Sequence, residues 1–168
     1  MPHNCYQCGN TLDLRSLEGH EREICLSCGW INYEHLKISA GGRVEQNGML
    51  LLVQRGTDPF KGTWHMPAGY IEVDELPVHA SERETYEESG LVVKVNHLVD
   101  AYYYDDDPRG NGVVLIFEAE VKGGRLCASD ETLQAKFFKP DELSGIPLAG
   151  VSAKQSIQAW LAEKKKYG

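Results

Sequence analysis

Residues 69–91 read GYIEVDELPVHASERETYEESGL. Gly69, Glu75, Arg83, Glu84, Glu87, Glu88 and Gly90 stand in the spacing G-x5-E-x7-R-E-x2-E-E-x-G. Residues 78–89 contain neither Gly nor Pro, and Pro77 and Gly90 bracket them. Pro suits the first turn of a helix and Gly the position just past its end, so the spacing predicts a helix here. On that helix Glu84, Glu87 and Glu88 fall at i, i+3 and i+4, on one face. Like charges so placed cost about 0.2–0.5 kcal/mol per pair. A solvated acidic face is the bland reading. The flanking Gly69, Glu75, Arg83 and Gly90 argue instead for a hard divalent cation, whose oxygen ligands are carboxylates, waters and substrate phosphates.

Upstream lies a second motif. Cys5-x2-Cys8-Gly9 and Cys25-x2-Cys28-Gly29 are matched knuckles, each presenting two sulfurs to one ion. Four thiolates at this ribbon spacing suit one tetrahedral, structural Zn²⁺ with no open position for catalysis. A disulfide pair, a redox Cys-x-x-Cys and a rubredoxin-like iron site are the competing readings. So short a ribbon has almost no core, and metal binding would supply most of its folding energy. The fifth cysteine, Cys127, has no sequence partner and reads as a buried or idle thiol.

Composition limits the partners. The chain has 168 residues and a net charge of −8. Before Lys37 the only basic side chains besides histidines are Arg15 and Arg22, facing Asp13, Glu18, Glu21, Glu23 and Glu34. No positive footprint for a phosphate backbone results, so no nucleic-acid partner is expected. The longest apolar runs, 49–53 and 113–117, are strand-sized, and no membrane partner is expected. The start, MPHNCYQCGN, lacks an apolar signal region, which makes a cytoplasmic setting the expectation.

The expected organisation is a zinc ribbon over 1–36, bridged through NYEHLK to a second domain over 37–168. Strand patterns occur at 38–45, 49–55, 91–103, 112–121 and 135–139, and helix patterns in 78–89 and 152–166. Residues 140–143 read as a short helical turn. Mixed strands with two helices predict an α/β (α+β) fold.

The 69–91 segment resembles the Nudix box, the signature of the Nudix hydrolases. Every fixed position matches; Thr85 stands where a bulky aliphatic is usual, which predicts a small packing loss. GTWHMPAGY (62–70) is similar to the family's lead-in, with Ala68 in place of a glycine, and the stretches 106–121 and 131–143 resemble its later strands. The resemblance covers 37 to about 162. It implies an α/β/α sandwich with a mixed sheet. The implied reaction is attack of water on a phosphorus of the diphosphate bridge in a nucleoside diphosphate joined to another group, assisted by roughly one to three Mg²⁺ or Mn²⁺ ions. It further implies Glu84 and Glu88 as metal ligands, Glu87 as a third ligand or the base that activates water, and the Gly69 carbonyl facing a metal. Arg83, counted with the catalytic residues, is expected off the Glu84 face, pinning Glu75 or Glu87. Some members draw one more glutamate from a later segment; Glu118, Glu120 and Glu131 are the candidates, with Gln134 at a site where relatives often carry Glu. A homodimer is an expected assembly, because the family is often dimeric.

A ribbon followed by this box resembles the NADH pyrophosphatase branch, yet that branch's S-Q-P-W-like motif is absent. Asp107-Pro108-Arg109-Gly110 is closer to what ADP-ribose and nucleotide-sugar hydrolases carry, and ADP-ribose is the expected type of substrate. A dinucleotide or (d)NTP pyrophosphatase is the alternative, and a non-catalytic nucleotide sensor the alternative class. For substrate contact the candidates are Arg55 and Arg109 as phosphate grips, Tyr104 as a stacking ring, and Glu118. Phe60 is open between stacking and packing, Trp64 reads as packing, Asp105–Asp107 as a solvated loop, and His65 as structural rather than catalytic.

Overall fold

A computed structural model of the chain describes residues 3–167, and the fold divides into two compact units between His35 and Leu36. The first unit is a three-stranded antiparallel sheet in the order β1-β2-β3, formed by Asp13–Leu17, His20–Ile24 and Ile31–Asn32. Its buried cluster is Cys5, Leu12 and Cys25, with Trp30 packed against it. Two of those three core residues are also candidate metal ligands.

The second unit carries β4 (Lys37–Gln46), β5 (Met49–Arg55), β6 (Trp64–His65), β7 (Ala68–Tyr70), α1 (Pro77–Ser89), β8 (Leu91–Tyr104), β9 (Gly112–Gly124), β10 (Thr132–Phe138) and α2 (Gly150–Tyr167). The strands run β10-β5-β4-β9-β8, with β6 on β5 and β7 on β4. Among the described strand pairs β4–β9 alone is parallel, with one isolated parallel bridge from Trp64 to Leu148, so the sheet is mixed.

Alternation along β9 separates the two faces. Val114 and Ile116 join Leu50, Leu52, Ile157 and Trp160 in one core cluster, against α2. Leu115 and Phe117 join Ala40, Ala80 and Val78 in another, against α1. The result is a three-layer α/β/α sandwich. Trp160 fixes α2: its ring is buried and its Nε1–H donates to Glu45 at 2.9 Å, while the Lys164 ammonium reaches the same carboxylate at 2.6 Å.

Helix α1 begins at Pro77 and ends at Gly90, whose φ of 72° is the left-handed geometry of a helix stop and whose N–H donates to the Tyr86 carbonyl. Its buried face is Ala80, Ser81, Thr85, Glu88 and Ser89. These small and polar side chains let the helix lie close on β4. Thr85 is fully buried, and its hydroxyl donates to the Ser81 carbonyl at 2.7 Å, so the polar substitution leaves no stranded hydroxyl at that position.

In the second unit the strand and helix patterns match the sheet and helices closely, whereas the three strands of the first unit were not predicted. The short β6 and β7 were not predicted, because two or three residues carry no periodicity. Strand β10 begins three residues earlier than its pattern, beyond a register shift between Thr132 and Gln134. Residues 140–143 form a single 3₁₀ turn.

Candidate active site and metal centres

Helix α1 and strands β6 and β7 wall a cavity of about 320 Å³ in the second unit. Glu84 and Glu88, one turn apart, enter it from α1, and Gly69 and Tyr70 from β7. Glu88 is 6% exposed, and its carboxylate accepts one hydrogen bond, from the Ala68 N–H at 2.9 Å. Burial pushes its carboxyl up to about 8; the Ala68 N–H and Arg55 pull against that, while Glu84 and Glu131 add to it. Burial likewise raises Glu84, against the pull of Arg83. The β7 backbone lies so close that a Cβ on Gly69 would collide with the Glu84 carboxylate.

Two shielded carboxylates on neighbouring turns, with a third close enough to disfavour their charge, fit a hard divalent cation. A bound cation would offset the burial that raises the Glu88 carboxyl and the repulsion from Glu84 and Glu131 that adds to it.

Glu87 does not line this cavity. It is exposed and pairs with Arg83 at 3.0 Å. One residue from Glu88 is about 100° round the helix, enough to turn it away from the wall. Arg83 corrects a further expectation. Its guanidinium grips Glu75 at 2.8 Å and Glu87, but also Glu84 at 2.7 Å, and donates to the Tyr70 carbonyl at 3.1 Å. The long, planar fork spans neighbours that a helical wheel separates. The Glu75 bonds, then those to Glu84, hold its pKa far above the usual guanidinium range.

Arg55, Arg109 and Tyr104 all reach the cavity wall. Arg55 donates through Nε to the Pro59 carbonyl at 3.0 Å. Arg109 holds Asp107 through Nε and Nη2, at 3.0 and 2.7 Å. Glu118 is not in the wall. The β4–β9 register sets it opposite Arg43, which takes its carboxylate at 2.5 Å, so the expected substrate contact is replaced by an ion pair. Glu120 pairs with Lys122, and Gln134 is exposed on β10. Of the later candidates Glu131 alone lines the cavity, its carbonyl accepting the Gly56 N–H at 2.8 Å.

The acidic loop is more structured than a solvated run. Asp106 caps α2 by accepting the Val151 N–H at 2.9 Å, and Asp107 is held by Arg109. Trp64 packs edge-on to Phe138, while Phe60 enters the cavity wall. His65 is buried in the same wall. Its Nδ1 meets the Met66 carbonyl at 2.7 Å, and its Nε2 has no hydrogen-bond partner among the described residues. A buried acceptor left unmade costs about 1–3 kcal/mol. Cys127 is exposed, not buried: its backbone N–H is tied to the Ser89 carbonyl at 3.0 Å, and its sulfur lies beside Gly90.

In the first unit the four sulfurs of Cys5, Cys8, Cys25 and Cys28 lie within 4.8 Å of one another. Tetrahedral Zn–S bonds require sulfurs about 3.8 Å apart, so the cluster fits a four-coordinate ion. The cysteines are not disulfide-bonded, and the Gly9 and Gly29 amides close the two knuckle turns on Cys5 and Cys25 at 2.9 and 2.8 Å. Hydrogen bonding, first from the Asn10 backbone and then from Cys25, draws the Cys8 thiol down to about 6.

Residues 35–161 match the family model described as the NUDIX domain, and residues 4–34 match that of the Nudix N-terminal zinc ribbon. The chain belongs to the Nudix hydrolase family. An ADP-ribose pyrophosphatase of Methanocaldococcus jannaschii is 34% identical over 133 residues, 79% of this chain and 77% of that protein. An NAD-capped RNA hydrolase, NudC, of Edwardsiella ictaluri is 26% identical over 94% of this chain, which spans 60% of that relative. Among solved structures, a NUDIX hydrolase from Nitrosomonas europaea superposes with a TM-score of 0.83 at 28% identity, covering 98% of this chain and 93% of that one. The Nudix box is therefore the stretch that supplies Glu84 and Glu88 to the cavity, and its lead-in supplies Gly69 and the Ala68 N–H.

Proposed function

We propose that this Nudix hydrolase cleaves the diphosphate bridge of a nucleoside diphosphate joined to another group, with ADP-ribose or a similar nucleotide sugar as substrate. The observation that carries the reading is the pairing of two shielded carboxylates, Glu84 and Glu88, with Arg55 and Arg109 in one cavity. Bound Mg²⁺ or Mn²⁺ would neutralise the bridge and make water a better nucleophile. Glu84, Glu88 and the Gly69 carbonyl would hold that cation. Arg55 and Arg109 grip the phosphate oxygens, which their forked donors match. Glu131, which also lines the wall, would take the proton of the attacking water. Arg83 touches no reacting atom; it fixes Glu84 and Glu75 from outside the wall. Cys5, Cys8, Cys25 and Cys28 hold one structural Zn²⁺.

A dinucleotide reading is favoured by one observation, the similarity to NudC across the ribbon as well as the catalytic domain. Product analysis separates the two. ADP-ribose, NADH, sugar nucleotides and dNTPs are each incubated with Mg²⁺, and the phosphorylated products identified. The proposal predicts AMP and ribose 5-phosphate from ADP-ribose at the highest kcat/KM. Faster release of AMP and reduced nicotinamide mononucleotide from NADH would favour the dinucleotide reading. Tight binding of one nucleotide with no turnover of any would favour a sensor.

A further inference from the structure

One end of the cavity differs in chemistry from the end holding the glutamates. There Phe60, His65 and the first turns of α2, with Ser152 and Ser156, form the wall. Strand β6 is tied to the segment before α2 by Trp64 N–H to the Pro147 carbonyl and Ala149 N–H to the Trp64 carbonyl, at 2.8 and 3.0 Å, which sets His65 beside the helix start. Helix N-termini attract anions, but Asp106 already occupies this one through the Val151 N–H. A phosphate is therefore disfavoured at this end, and a neutral group is favoured.

Phe60 is held there at a cost. Its backbone φ of 66° is rare for a bulky side chain. The Thr63 hydroxyl and amide both donate to its carbonyl, at 2.5 and 3.1 Å, and Arg55 holds the preceding carbonyl of Pro59 at 3.0 Å. The ring tip lies 3.3 Å from where a Cβ on Gly150 would stand, so the ring covers the start of α2. Backbone strain maintained by so many bonds at a cavity wall points to a purpose for the ring.

His65 has a fixed hydrogen-bonding sense. A carbonyl only accepts, so Nδ1 carries the proton bonded to Met66, and Nε2 presents a lone pair. That acceptor is buried and unpartnered. Burial, then the nearby Arg55 charge, keeps the ring neutral by lowering its pKa to about 4.

We propose that Phe60, His65 and the start of α2 form the subsite for the base of the nucleotide, and that His65 Nε2 selects a base bearing an exocyclic amine over one bearing a carbonyl. The proposal rests on the hydrolase reading above. Arg55 lines the same wall from β5, the strand whose Val53 pairs with His65 and whose Arg55 pairs with Thr132, the residue that holds the Glu88 carbonyl, so a phosphate grip is near both base and reacting bridge. The base stacks on Phe60, and its amine donates to Nε2 once a small turn of the ring opens that buried atom to the cavity. A carbonyl there would face the lone pair with no proton between them.

The test compares ADP-ribose with its hypoxanthine analogue, in which the amine becomes a carbonyl, on the unaltered protein. A preference of about tenfold or more in kcat/KM for the amine is expected, falling to near unity in His65→Leu and partly kept in His65→Gln, which retains an acceptor. Phe60→Leu should raise KM for both compounds by about five- to a hundredfold with kcat changed much less. Equal kcat/KM for the two compounds on the unaltered protein would overturn the subsite while leaving the hydrolase reading intact. If neither compound is hydrolysed, calorimetric binding of AMP against IMP reads the same contrast, and equal affinity, or no binding of either, overturns the subsite.

Discussion

The Glu88 carboxylate is joined to the Ala68 N–H at 2.9 Å, across twenty residues of chain. This one bond links helix α1 to the strand that precedes it. It also sets Glu88 beside the backbone of Gly69, which in turn lies against Glu84. The cavity's acid pair thus depends on a glycine backbone as much as on the glutamates.

Gly69→Ala tests that dependence. The added methyl group must displace the Glu84 carboxylate, since the two cannot share the space. Turnover should fall roughly ten- to a hundredfold, the scale of a displacement near 1 Å at a catalytic group, with the circular dichroism spectrum kept. Unchanged turnover would show that the position of Glu84 is immaterial.

Arg83→Lys tests the guanidinium hub. An ammonium cannot bridge Glu75, Glu84, Glu87 and the Tyr70 carbonyl together. A loss of about 1–3 kcal/mol is expected from the charge-assisted bonds, read by urea unfolding. A variant as stable as the parent would reduce the hub to a set of weak surface pairs.

In metal-free protein Glu88 and His65 bend the pH profile of stability in opposite directions. The Glu88 pKa rises on folding from 4.5 to about 8. Its contribution is fully present below 4.5 and is lost as pH climbs towards 8, because the folded chain keeps a proton that the unfolded chain releases. The His65 pKa falls from 6.5 to about 4, so its contribution is present above 6.5 and is lost as pH drops towards 4. The two oppose each other between 4.5 and 6.5, and Glu88 acts alone above that. In EDTA the melting temperature should fall between pH 6.5 and 8, and Mg²⁺ or Glu88→Gln should flatten the fall. Parallel profiles for parent and Glu88→Gln would contradict the burial argument.

For the ribbon, one Zn²⁺ per chain is expected by elemental analysis. Cys25→Ser should abolish it and expose Trp30, which packs on the Cys5–Leu12–Cys25 cluster, giving a red-shifted emission. Retained zinc in that variant would exclude a four-sulfur site.

The helix, its ends and the presence of Glu84 and Glu88 on one face were legible in the 69–91 spacing, because they depend on local periodicity and on Pro and Gly at the boundaries. The placing of Glu87 outside the wall was not, since a wheel angle does not say where the cavity edge falls. Glu118 and Glu131 looked alike in sequence; the β4–β9 register gives one to Arg43, and the turn before β10 brings the other to the cavity. His65 and Phe60 gained their surroundings from α2, roughly ninety residues away in the chain, so no local pattern marked them.

In the proposed reaction Glu88 holds a divalent cation at the diphosphate bridge that is cleaved. The most direct measurement is AMP release from ADP-ribose by the parent with Mg²⁺, by the parent in EDTA, and by Glu88→Gln with Mg²⁺. Turnover is expected in the first and a loss of about a hundredfold or more in the other two, with Glu88→Gln still folded. Equal rates in all three would contradict that role of Glu88.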